Sequence, residues 1–187
     1  MRRLCGVGLL VIGLMSVTGC SPPIAGSTGV SVDTEGHPII VLAWCEGAAP
    51  EGVHISHYED ASGPWSTMPG PSSAATVMDD VDFIAPSLDG QSASVRLDAP
   101  DEGWTVEPKP FVLRPRVLYH AFGHQGRGSN QVNTGGVSFS ADSVAKLKPG
   151  SVLVQRYDER RSPPDWADVV ITREEFDRQG RERASCQ

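Results

Sequence analysis

The chain contains three lysines among 187 residues, against thirteen arginines. Acidic residues (23) outnumber basic ones (16), and the net charge is −7. That balance argues against the basic patch needed to displace counterions from nucleic acid, so no nucleic-acid partner is expected. Helical periodicity is almost missing. The apolar run at the start, Leu4 to Gly19, falls short of the roughly 20 residues a spanning helix needs, and it carries Gly6, Gly8, Gly13 and Gly19. Catalytic signatures are absent too. There is no Gly-x-Ser-x-Gly elbow, no serine β-lactamase or penicillin-binding motif and no HEXXH zinc helix. Gly126-Arg127-Gly128 matches neither a P-loop nor a dinucleotide fingerprint, and Gly128-Ser129-Asn130 lacks the strand–turn–helix context of a nucleophile. No cofactor is expected.

What the chain does have is short β-branched runs cut by proline and glycine, the pattern of a mainly β fold. The spacing predicts an antiparallel, Ig-like β-sandwich with one or two short helices near the C-terminus. His37 to Cys45 is a continuous apolar run, short enough for a buried strand. Val53 to Glu59 alternates, with Val53, Ile55 and His57 on one face and His54, Ser56 and Tyr58 on the other. Turn residues 47–52 between these two suggest a hairpin. Further strands are expected over Thr76–Ile84, Ser92–Leu97, Phe111–Phe122, Ser151–Tyr157 and Asp168–Ile171. In Ser92–Leu97 the apolar positions Ala93, Val95 and Leu97 repeat every second residue. Gly63–Ser73 and Gly123–Gly136 read as loops. Ser140 is placed to cap one helix, and Thr172 with Glu175 fits a capping box for another that closes near Gly180.

The N-terminus carries the most specific signal. Met1-Arg2-Arg3, the apolar run and Val17-Thr18-Gly19-Cys20-Ser21 follow the layout of a secretory signal. The arrangement resembles the lipobox of bacterial lipoproteins. The chain as a whole is similar to small, lipid-anchored envelope proteins of high-GC Gram-positive bacteria. The resemblance implies cleavage before Cys20 and acyl chains on its sulfur. It places the protein on the extracytoplasmic face of the cell membrane. Each buried methylene contributes about 0.8 kcal/mol, so two or more chains anchor stably. On this reading residues 1–19 are the signal peptide, 20–35 the lipidated cysteine and a flexible tether, and 36–187 a single β-rich domain. The low-complexity stretch Ser21–Gly29 reaches at most roughly 30 Å. Losing residues 1–19 removes two arginines and no acid, which moves the net charge from −7 to −9.

The same resemblance sorts the four cysteines. Cys5 leaves with the signal and Cys20 takes the lipid. Cys45 and Cys186 remain as a pair in an oxidising compartment, where a disulfide between them is expected; two free thiols are the alternative.

Several constellations are candidates for chemistry. His54 and His57 face opposite ways on a strand and do not share a metal. His120 and His124 share a face, but no further ligand is placed to complete a zinc site. The alternative is surface imidazoles, so no metal site is assigned. Asp79, Asp80 and Asp82, with Asp89 nearby, form the densest acidic cluster. It lacks the EF-hand spacing, and a solvated strand end is the favoured reading. Trp44 reads as core beside Cys45. Trp65, Trp104 and Trp166 are candidates for stacking on a sugar or anchoring a partner. These residues together define no catalytic set. The expectation is a lipid-anchored protein with a binding or structural role, its partner an envelope protein or glycan. The alternative is an envelope hydrolase acting on wall glycans or esters through loop carboxylates and histidines, with Asp80 and His120 as its test positions.

Overall fold

The computed structural model describes residues 21–58, 76–107, 111–160, 165–182 and 185–186. Cys20, the Gly63–Ser73 stretch with Trp65, and residues 161–164 lie outside them. The described residues are mainly β, with eleven strands in one mixed sheet curled into a half-barrel, and two short helices.

The first strand, β1 (Ile24–Val32), is the hub. One of its edges pairs antiparallel with β2 (Pro38–Trp44) from Gly26–Trp44 to Val32–Pro38. Its other edge is shared. Near Ile24 and Ser27 it runs parallel to β8 (Val132–Gly135), and at Val30 it meets β10 (Ser151–Asp158). This is the one parallel pairing among the described strands, so the sheet is not purely antiparallel. Outward from β2 lies β5 (Ser92–Arg96), and outward from β10 lies β11 (Asp165–Thr172). The other half runs β6 (Thr105–Glu107), β4 (Val77–Ile84), β3 (Gly52–Tyr58) and β7 (Tyr119–Gln125). On its second edge β7 meets β8 at one end and β9 (Val137–Phe139) at the other. Strand β8 therefore joins the two halves.

Alternation decides what is buried. Val30, Ile40, Leu42 and Val95 point to one core with Val53, Ile55, Phe83 and Tyr119 from the other half. A second, smaller core lies on the opposite face of β2 and β10, where Val41, Ala43, Val152 and Val154 receive Phe176. Phe176 belongs to α2 (Arg173–Gln179), which Thr172 caps by accepting from the Glu175 N–H at 3.1 Å. The reciprocal bond of a capping box is not formed, because the Glu175 carboxylate is taken by Arg178. Ser140 caps α1 (Ala141–Val144) with both bonds of the box in place.

Four expectations need correction. The tether expected over residues 20–35 is mostly strand β1 and its turn into β2. Its glycines are there for close packing rather than flexibility: a Cβ on Gly26 would overlap the Ala43 carbonyl oxygen, and one on Gly29 would overlap Val152. The residues His37–Cys45 and Val53–Glu59 do not form a hairpin; β2 pairs with β1 and β5, and β3 with β4 and β7. Gly123–Gly136 is not one loop, because the end of β7 and all of β8 fall inside it. The strand expected at Phe111–Phe122 starts at Tyr119.

Where β8 turns away from β7 toward β1, the Gly123 N–H loses its ladder partner. A buried amide must find another acceptor. It donates to Thr134 Oγ1 at 2.7 Å and Thr28 Oγ1 at 3.2 Å, and these two hydroxyls also touch each other.

Candidate functional site

The histidines fall as strand alternation dictates. His120 and His124 lie four residues apart on one face of β7, about 13 Å along a strand, too far to bind one metal ion together. The ring of His120 packs over Gly136, where a Cβ would come within 2.5 Å, and His124 packs over Gly52, where it would come within 3.0 Å. Burial lowers both imidazole pKa values, and nearby His54 lowers both further. His54 lies on the same face, opposite Phe122, with Nδ1 2.8 Å from Asp82 Oδ1 and Nε2 3.3 Å from Asp79 Oδ1.

A bulge in β4 separates the aspartates. Ile55 pairs with Val81 and Ser56 with Asp79, so Asp80 is the extra residue. Asp79 and Asp82 are thus turned to His54, while Asp80 swings to His57 on the opposite face. His57 Nδ1 and Asp80 Oδ2 are 2.6 Å apart, and both side chains are only 15% exposed. Arg114 Nη2 lies 3.3 Å from Asp80 Oδ1 and 3.3 Å from His57 Nε2. The Arg114 N–H and Nε donate to the Tyr119 hydroxyl at 3.0 and 3.2 Å. This is a carboxylate-oriented imidazole whose other nitrogen faces a guanidinium, so Arg114 would have to move for Nε2 to act as a base. Among the described residues no serine, cysteine or threonine is bonded to His57 as a nucleophile.

A third cluster was not singled out in the sequence. Asp33, Glu35 and His37, in the turn from β1 to β2, hold their ligand atoms within 4.8 Å of one another. Asp33 Oδ1 accepts from the Glu35 and His37 N–H groups, each at 2.9 Å. Desolvation pushes the Asp33 carboxyl up, but these bonds outweigh it and hold the pKa below the usual range. The turn accounts for the arrangement by itself.

The fork in the sheet makes a different kind of place. On the shared edge of β1, β8 pairs up to Ser27 and β10 joins at Val30, and a cleft of about 250 Å³ opens at this junction. Ser27 and Gly136 line one side, Gln155 and Arg156 the other, with Gln179 of α2 and Trp166 of β11 completing the wall. Gln155 is locked in place: its Oε1 accepts from the Ser138 N–H at 3.0 Å and its Nε2 donates to Asp168 at 3.2 Å. Arg156 Nη2 donates to Gln179 Oε1 at 2.6 Å. Among the described residues, Arg96, Arg114, Arg173 and Arg178 pair with carboxylates, whereas Arg156 is held by a neutral amide. Trp166 is 45% exposed and meets Tyr157 edge-on at 5.8 Å.

Of the tryptophans, Trp44 is core as expected, beside the Cys45–Cys186 disulfide that is present in the structure. Trp104 is 5% exposed, packed in the main core, and so is no surface anchor. Among the described residues, Trp166 is the expected candidate that lines the cleft. The rest of the cleft had no sequence signal, because the parallel β1–β8 pairing joins residues over 100 positions apart. No helix among the described residues is long and apolar enough to cross a membrane. Compared with protein-family models, curated proteins and solved structures, the chain matches none.

Proposed function

We propose that this chain is a lipid-anchored protein of the extracytoplasmic membrane face, attached through Cys20, that acts by binding an envelope component. The Val17-Thr18-Gly19-Cys20 sequence supports the anchor. The Cys45–Cys186 disulfide suits an oxidising compartment. The cleft at the sheet fork is the observation that carries the binding role. It is lined by a partly exposed indole, amides held in place and an arginine linked through Gln179 to Glu175. For the architecture, the core shared by two half-sheets supports a sandwich, while the parallel β1–β8 pairing argues against a strictly antiparallel, Ig-like one.

The anchor is tested by fractionation. Cys20→Ala should move the protein from the membrane pellet to the soluble fraction. A variant that stays in the pellet sinks this part of the reading. With β1 starting at Ile24, only Ser21–Pro23 would separate the lipid from the sheet, a reach of about 10 Å. The domain would then ride close to the bilayer.

A second reading, an envelope hydrolase, is favoured by the His57–Asp80 pair. Hydrolysis of wall glycans or esters by the purified chain, lost in Asp80→Asn, would establish it over the binding role.

A further inference from the structure

We infer that the free end of the β10–β11 hairpin, which carries Tyr157 and Trp166, is a second contact with the lipid surface. Its two rings rest among the headgroups, so the domain is held at two points. This deepens the lipid-anchor reading proposed above and rests on it; it does not involve the cleft.

Strand direction places the hairpin. β10 is antiparallel to β1 where the two meet, at Val30 and Leu153. From that pair β1 runs back to Ile24, about 20 Å along a strand, and β10 runs forward to Asp158, about 17 Å. The start of β1 and the free end of the hairpin therefore lie at the same end of the sheet. The bridge between Ala25 and Cys186 and the Cys45–Cys186 disulfide hold that start of β1 in place. Only Ser21–Pro23 stand between Ile24 and Cys20, so acyl chains on Cys20 bring the bilayer within about 10 Å of this end.

The side chains there suit a headgroup layer. Tyr157 lies directly opposite Trp166, and the two rings meet edge-on on one face of the hairpin. Tyr157 is 54% exposed, Trp166 45% and Ile24 37%. Past Leu153 the hairpin has no ladder pair with β1 among the described strands. Tyrosine and tryptophan each have an apolar body and a polar tip, and they favour the boundary between headgroups and acyl chains. The nearby acids do not oppose this placement. Asp158 Oδ1 accepts from the Arg160 N–H at 3.0 Å and Asp165 Oδ1 from the Trp166 N–H at 2.8 Å, which turns both carboxylates back onto the hairpin. Exposed Glu159 and Arg160 offset each other in charge. A tethered contact meets its surface at an effective concentration on the order of millimolar, so it need not be strong.

The test uses the full chain isolated from membranes and reconstituted into phosphatidylcholine vesicles, with or without brominated acyl chains. Subtracting the emission of Trp166→Phe isolates Trp166, with circular dichroism confirming the fold of the variant. Bromines near the headgroups should quench Trp166 at least twofold, and bromines near the chain ends should quench it less. Tyr157→Ser should at least halve the quenching. No quenching of Trp166 overturns the proposal, as does stronger quenching by the deeper bromines. Quenching unaltered by Tyr157→Ser overturns the two-ring contact. A Trp166 blue shift that needs no vesicles and grows with protein concentration marks a second copy of the chain as the occupant, and overturns it too. Flotation reads the anchor separately: wild type should float with the vesicles and Cys20→Ala should not. A wild type that does not float sinks the anchor and this contact with it, whereas floated protein with unquenched Trp166 sinks the contact alone.

Discussion

Phe176 of α2 lies against the backbone of Gly29 in the middle of β1. A Cβ at Gly29 would come 3.1 Å from the ring and overlap the Val152 side chain. The helix sits this close to the sheet because residue 29 has no side chain. Gly29→Ala should therefore cost about 1–3 kcal/mol, the usual range for overpacking. Urea denaturation would measure it as a lower midpoint with an unchanged slope.

The Cys45–Cys186 bridge fixes the C-terminus beside β2 across a separation of 141 residues. Replacing both cysteines with serine should cost about 2–5 kcal/mol, because the unfolded chain regains the entropy that a long closed loop denies it. The oxidised protein and the double variant should differ in urea midpoint, and adding reductant should bring the first to the second.

Acidification should weaken the fold. His120 and His124 titrate below the ordinary histidine value of 6.5 in the folded chain. Below that value the unfolded chain takes up protons before the folded one does, so stability falls as pH drops from about 7 toward 5. His120→Gln should flatten this dependence. An unchanged slope in urea midpoint against pH would remove His120 from the account.

Asp80→Asn should separate structure from chemistry at the His57 pair. The lost charge-assisted bond should cost about 1.5–3 kcal/mol, reduced by the partial exposure of Arg114. A stability loss with no hydrolytic activity to lose matches the binding role, and any hydrolytic activity that vanishes with the substitution supports the alternative.

The strands were largely legible, and the reasons are local. Ala93, Val95 and Leu97 announce β5 through their period of two, and all three pack on or in the main core. The apolar run His37–Cys45 contains β2, and Ser140 and Thr172 mark the helix starts. The faces of His54 and His57 also followed from alternation. What escaped was long-range. The Ser21–Gly29 composition is that of a linker and equally that of a crowded central strand, and only the neighbours distinguish them. The bulge that sends Asp80 toward His57 has no glycine to announce it. The cleft exists because β8 and β10 share one edge of β1, a relationship no local pattern encodes.

The central place of β1 sets the order in which the molecule can be assembled. Chains emerge from the N-terminus, so β1 appears first, and β2 can zip onto it within a few residues. Its other edge has to wait for β8 and then β10, more than 100 residues later, and the bridge at Ala25 waits for Cys186. Until then an apolar hairpin presents unpaired backbone to its surroundings. Pairings this distant make folding slow. The chain's exposure to aggregation should therefore be greatest while its last forty or so residues are still to be placed, and C-terminal truncations should leave the hairpin open rather than yield a smaller stable domain.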